Sequence, residues 1–93
     1  MSIFRLDPTD LNNERWQVSE LKEPLFVRAD NPTEARDLVA RKTMKAQTVR
    51  PGEVLRISPW LDRRVASCVL EPADDVPEGV VEDATGNDIT DRI

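Results

Sequence analysis

The 93-residue chain has no histidine and no tyrosine, a single cysteine, three glycines, two tryptophans and two phenylalanines. Without histidine, the commonest general base and the commonest metal ligand are missing together. One thiol with no imidazole cannot build a structural zinc site, and a cysteine nucleophile would have no neighbouring base to raise its thiolate fraction. The lone Cys68 lies in Val65-Ala66-Ser67-Cys68-Val69-Leu70 and reads as a small buried hydrophobe on a strand. Scarcity of cysteine in so short a chain points to a reducing compartment, and a cytoplasmic protein is expected. Gly52, Gly79 and Gly86 are too scattered to cradle a phosphate. No apolar run exceeds three residues, which excludes a transmembrane helix, and the opening Met1-Ser2-Ile3-Phe4-Arg5 has no apolar stretch behind it, so no secretory signal is expected.

What the chain does have is charge, unevenly placed. Its formal net charge is −5, yet residues 72–93 carry seven acids against Arg92 alone, a net −6, and leave the first 71 residues at +1. Within that body, residues 36–64 hold eight bases against Asp37, Glu53 and Asp62, a net +5. The last quarter reads as an acidic, partly disordered tail, in which Val80, Val81 and Ile89 are the residues able to dock. Asp83-Ala84-Thr85-Gly86-Asn87-Asp88 has neither the glycine position nor the closing glutamate of a calcium loop, so no metal and no cofactor is expected.

Local signals place the elements. Residues 1–14, with Asp7-Pro8-Thr9-Asp10 and Asn12-Asn13, read as a turn-rich arm ahead of a domain spanning 15–71. Trp16 and Val18 alternate with Gln17 and Ser19, and Leu25 to Ala29 resumes the pattern after Pro24, which predicts a hairpin. Asn31-Pro32-Thr33-Glu34 predicts a helix start: Asn31 caps a free amide, Pro32 has no amide to leave unpaired, and Glu34 reaches back toward the cap. The helix is expected over about 32–46, with Ala35, Leu38, Val39, Lys42 and Ala46 on one face. After the Arg50-Pro51-Gly52-Glu53 turn, Val54 to Ser58 and Val65 to Leu70 read as two further strands. The fold class expected is α+β: a small two-layer β-β-α-β-β domain, its four-stranded antiparallel sheet covered on one face by one helix.

Function is read from what such a sheet leaves uncovered. A single helix buries one sheet face, so the other must be covered by a tail or a partner, which favours a non-enzymatic protein-binding module or a homodimer. Trp60 follows Ser58-Pro59 and precedes Arg63 and Arg64 in a link where an indole can be core or half exposed; with Phe26 these form the candidate protein interface. The alternative is nucleic-acid binding through Arg41, Lys42, Lys45, Arg50 and Arg56, with Arg28 beside Phe26 on the open sheet face and the acidic tail competing for the same surface. A third reading has the tail itself imitate nucleic acid, as an inhibitor of phage or mobile-element type would. Glu34 and Asp37 share a helical face at i, i+3, but this is ordinary charge at a helix N-terminus rather than an acid/base pair. No small-molecule substrate and no membrane partner are indicated.

Overall fold

The computed structural model describes residues 1–72 and 75–92. Strand β1 (Ser2–Pro8) lies inside the sheet: Phe4 and Leu6 point to the core while Arg5 and Asp7 take the other face. Strand β2 (Leu25–Ala29) runs antiparallel beside it, with Phe4 opposite Val27 and Leu6 opposite Leu25. Helix α1 (Pro32–Thr43) covers this face through Ala35, Val39, Ala40 and Thr43. Strand β3 (Ala66–Leu70) pairs with the other side of β1, and β4 (Val81–Asp83) pairs with β2, which gives the antiparallel order β3-β1-β2-β4. The fold is α+β in the order β-β-α-β-β, with one helix packed on a four-stranded antiparallel sheet.

That order holds although two of its four strands come from unexpected segments. Residues 2–8, read as part of an arm, form an interior strand, because Phe4 and Leu6 alternate with Arg5 and Asp7 and find partners on both sides. Residues 81–83, read as part of an acidic tail, form the edge strand β4. Conversely, Glu14–Val18 is a 3₁₀ turn, not a strand: the Asn13 side chain accepts from the Arg15 N–H and caps it, and Trp16 and Val18 are still buried. Residues 54–58 form no strand either: the Arg56 backbone bonds to the Gln47 side chain and enters no backbone ladder.

The helix begins as its cap predicts. Asn31 Oδ1 accepts from the Glu34 N–H at 2.9 Å, and Glu34 Oε2 reaches back to the Asp30 N–H at 3.3 Å. It ends at Thr43, short of Ala46, for a tertiary reason: Thr43 O accepts from the Glu20 N–H, the Lys45 N–H donates to Val18 O, and Met44 bridges Ser19 in extended form. Two strand-like bonds outside the helix thus replace its last turn.

The acidic segment is built into the domain. Arg28, on the sheet face away from α1, donates through Nε to Val76 O at 2.7 Å and pairs with Asp75 at 2.5 Å, while Val76 is only 1% exposed. The described part of the β3–β4 connection therefore covers some of the open face. The Asp83 carboxylate accepts from the Thr85 N–H (2.9 Å), the Thr85 hydroxyl (2.6 Å) and the Asn87 N–H (3.1 Å). Arg92 bridges Asp83 and Glu23, and Ile89 is buried in the main core. Asp74 of the expected tail lies outside the described residues. Among the described residues, no helix is long and apolar enough to cross a membrane.

Candidate protein interface

Residues 44–58 link the helix to the second half of the sheet, and their middle projects from the body. The Glu53 N–H donates to Arg50 O at 3.0 Å, and Gly52 sits at φ 87°, so Pro51 and Gly52 occupy the corner positions of a type II turn. Behind the turn, the Gln47 side-chain amide takes the place of a backbone partner. Its Nε2 donates to Arg56 O at 3.1 Å and its Oε1 accepts from the Arg56 N–H at 3.0 Å. The two limbs are held together there, and their apolar side chains stay in solvent: Val54 is 88% exposed, Ile57 71% and Leu55 59%. The molecule is elongated, with extents of 45 × 27 × 23 Å.

Leu55 and Ile57 form one wall of a groove of about 700 Å³ whose other side holds Leu61, Arg63 and Arg64. Its charged rim is organised around Asp62, which pairs with Arg15 and, at 3.0 Å, with Arg64. Arg56 reaches Gln17 Oε1 at 3.4 Å, and Arg63 is exposed. Apolar side chains and a mainly basic set of charges thus line the same groove.

The expected interface residues divide. Arg63 and Arg64 lie at the groove. Trp60 does not: it is fully buried, its ring edge-on to Trp16 and its Nε1–H donated to Ser19 Oγ at 3.0 Å. The 3₁₀ turn Pro59–Leu61, capped by Ser58, swings the indole inward and leaves Leu61 facing out. Phe26 is half-buried on the opposite sheet face, with the Arg5 guanidinium 5.9 Å from its ring centroid, remote from the groove residues in the fold. No known family, curated protein or solved structure matches the chain.

The six candidate nucleic-acid contacts sit on several elements. Arg28 faces away from the helix and is tied to the acidic segment. Arg41 pairs with Asp37 one turn earlier at 3.0 Å, and Lys42 lies near enough to Asp88 to help hold its carboxyl below the ordinary range, behind the larger effect of its hydrogen bonds from Thr90. Lys45 borders an adjoining recess with Glu20 and Gln17, Arg50 sits in the turn of the projecting arm, and Arg56 stands at the groove beside Gln17. Cys68 is partly buried, and that burial pushes its thiol pKa up, the opposite of what a nucleophile needs.

What sequence reasoning missed is the arm. Leu55 and Ile57 alternate with Arg56 and Ser58 as a half-buried strand would, and the pattern carries no sign of whether a partner strand exists.

Proposed function

We propose that this protein is a non-enzymatic protein-binding module that engages its partner through the arm at residues 47–57 and the groove behind it. The observation that carries this reading is the exposure of Val54, Leu55 and Ile57 together, at 88, 59 and 71%. Apolar side chains held out on a turn and cross-braced by Gln47 lose area to water that a partner would recover, at about 25 cal/mol per Å². The rim of Arg56, Arg63 and Arg64 suits a segment with apolar residues flanked by carboxylates. The setting of Arg28, Arg41 and Lys42 each against an acid favours protein over a phosphate backbone as the ligand.

The test compares three full-length proteins: the wild type, a variant with Val54, Leu55 and Ile57 all changed to serine, and Phe26→Thr on the far sheet face. Each is immobilised and exposed to a lysate of the source cells. Capture of the same protein by the wild type and Phe26→Thr, lost in the arm variant and reproduced by a synthetic peptide cut from the captured protein, is expected. Equal capture by all three, or by none, refutes the arm as the binding surface.

A further inference from the structure

One edge of the sheet is closed and the other is not. Strand β4 has only three residues, includes Glu82 and Asp83, and is backed by the bridge from Glu82 to Asp88. Charge and shortness protect such an edge from further pairing. Strand β3 has neither protection: Ala66-Ser67-Cys68-Val69-Leu70 carries no charge and no proline, and Val69 and Leu70 are 50 and 63% exposed.

The hydrogen-bond pattern locates the open groups. Beyond the ends of the β1–β3 ladder, the Thr9 N–H donates to Val65 O and the Glu71 N–H to Ile3 O, each at 2.9 Å. Antiparallel alternation then turns the backbone groups of residues 65, 67, 69 and 71 toward β1 and those of Ala66, Cys68 and Leu70 away from it. Ala66 is already satisfied, its N–H by Asp62 O at 3.0 Å and its C=O by Arg36 Nη1 at 2.8 Å. Cys68 and Leu70 are left, with outward N–H and C=O groups that have no partner among the described residues.

We propose that a second copy of this chain pairs antiparallel with β3 about a two-fold axis perpendicular to the sheet, with Cys68 of each copy opposite Leu70 of the other. Such an axis keeps both helices on one side of the joined sheet, so residues facing each other must share a face. Three simple registers meet that condition, and Leu70 opposite Leu70 is the poorest, since it sets Cys68 against Pro72, which has no N–H to donate. Placing Cys68 opposite Cys68 would call on Ala66, whose groups are taken; placing it opposite Leu70 uses all the free groups of both strands and leaves the bonds from Arg36 and to Asp62 intact. Val69 then meets Val69 of the second copy on the axis, in a non-hydrogen-bonded pair whose Cα atoms stand about 4.5 Å apart. Arg63 and Arg64 precede the strand and Glu71 follows it, so the antiparallel arrangement brings the basic end of one copy toward the acidic end of the other. The contact is short, well below the roughly 1,200 Å² of a standard interface, and the dimer is weak and concentration-dependent. Arg63 and Arg64 border both this contact and the groove, but the paired backbone lies on β3 and not on the arm, so Val69 and arm substitutions test the two separately.

The test uses the full chain with Cys68→Ser and one cysteine placed at position 69 or 67, oxidised under mild conditions. Val69→Cys is expected to give a disulfide-linked dimer about tenfold or more faster than Ser67→Cys, because only the axial pair brings the same residue of both copies into bonding range. In parallel, sedimentation of the wild type is expected to show a dimer growing with concentration, and Val69→Lys, at a half-exposed position that leaves the monomer folded, to abolish it. A wild type that stays monomeric up to millimolar concentration, a dimer indifferent to Val69→Lys, equal crosslinking from 67 and 69, or crosslinking through native Cys68 as fast as through Val69→Cys each overturns the proposal.

Discussion

The indole of Trp60 stands edge-on to that of Trp16, ring centroids 5.0 Å apart and planes at 88°, but the two are not equally satisfied. Trp60 donates its Nε1–H to Ser19 Oγ, whereas Trp16 Nε1 is buried with no acceptor among the described residues. Replacing each by phenylalanine removes similar apolar area, so the hydrogen bond makes the difference. Trp60→Phe is expected to cost about 1 kcal/mol more stability than Trp16→Phe. Urea unfolding of the two variants measures this directly, and equal losses would assign the Ser19 bond no net value.

The helix start rests on Asn31, whose side chain accepts from the Glu34 N–H. Asn31→Ala is expected to lower stability by about 1 kcal/mol, while Asn31→Ser keeps most of it. Thermal unfolding of the pair separates loss of the cap from any other effect at this exposed position.

Acid should loosen the C-terminal edge. The Thr85 hydroxyl first, then the Asn87 N–H, the Thr85 N–H and the Arg92 charge, hold the Asp83 carboxyl below its ordinary value against some opposing burial. A carboxyl with a lowered folded pKa gives stability that is complete above its unfolded value of about 4 and is lost as pH falls through the folded value. Asp83→Asn is expected to be less stable than the wild type at neutral pH, with the gap closing below about pH 4. A gap unchanged down to pH 2 would show that the ionised carboxylate contributes nothing.

Exposure sets the cost of polar substitution along the chain. Val54→Ser in the arm is expected to change stability by less than about 0.5 kcal/mol, whereas Val27→Ser, at 0% exposure in β2, costs upwards of about 1.5 kcal/mol. Chemical unfolding of both tests whether the arm is outside the cooperative core; a Val54→Ser loss as large as that of Val27→Ser would place it inside.

Local chemistry was legible wherever neighbours in sequence decide it. The Asn31-Pro32 helix start, the Arg50–Glu53 turn, and the strands around Leu25–Ala29 and Ala66–Leu70 all follow from capping, fixed φ and alternation. Alternation failed where it had to choose among segments. Phe4 and Leu6 alternate as cleanly as Leu55 and Ile57, but the first pair lies between two strands and the second beside none. Trp16 and Val18 share strand-like spacing and fold as a 3₁₀ turn because Asn13 caps it. Of the expected interface residues, Arg63 and Arg64 line an exposed groove, while Trp60 was drawn into the core by the Ser58-capped turn and its bond to Ser19.

The sequence by itself determined the absence of imidazole chemistry, the start of the single helix, the turn of the arm and the two strands Leu25–Ala29 and Ala66–Leu70, because each depends on residue type or on neighbours a few positions apart. Only the tertiary structure decided which segments fill the first and last strands, where the helix stops, and what becomes of the acidic segment. Those outcomes rest on distant partners: Thr43 with Glu20, β1 between β2 and β3, Arg28 with Val76, Arg92 with Glu23 and Asp83. Backbone groups and charges are satisfied by whichever partner the packing brings near, and spacing along a chain does not carry that information.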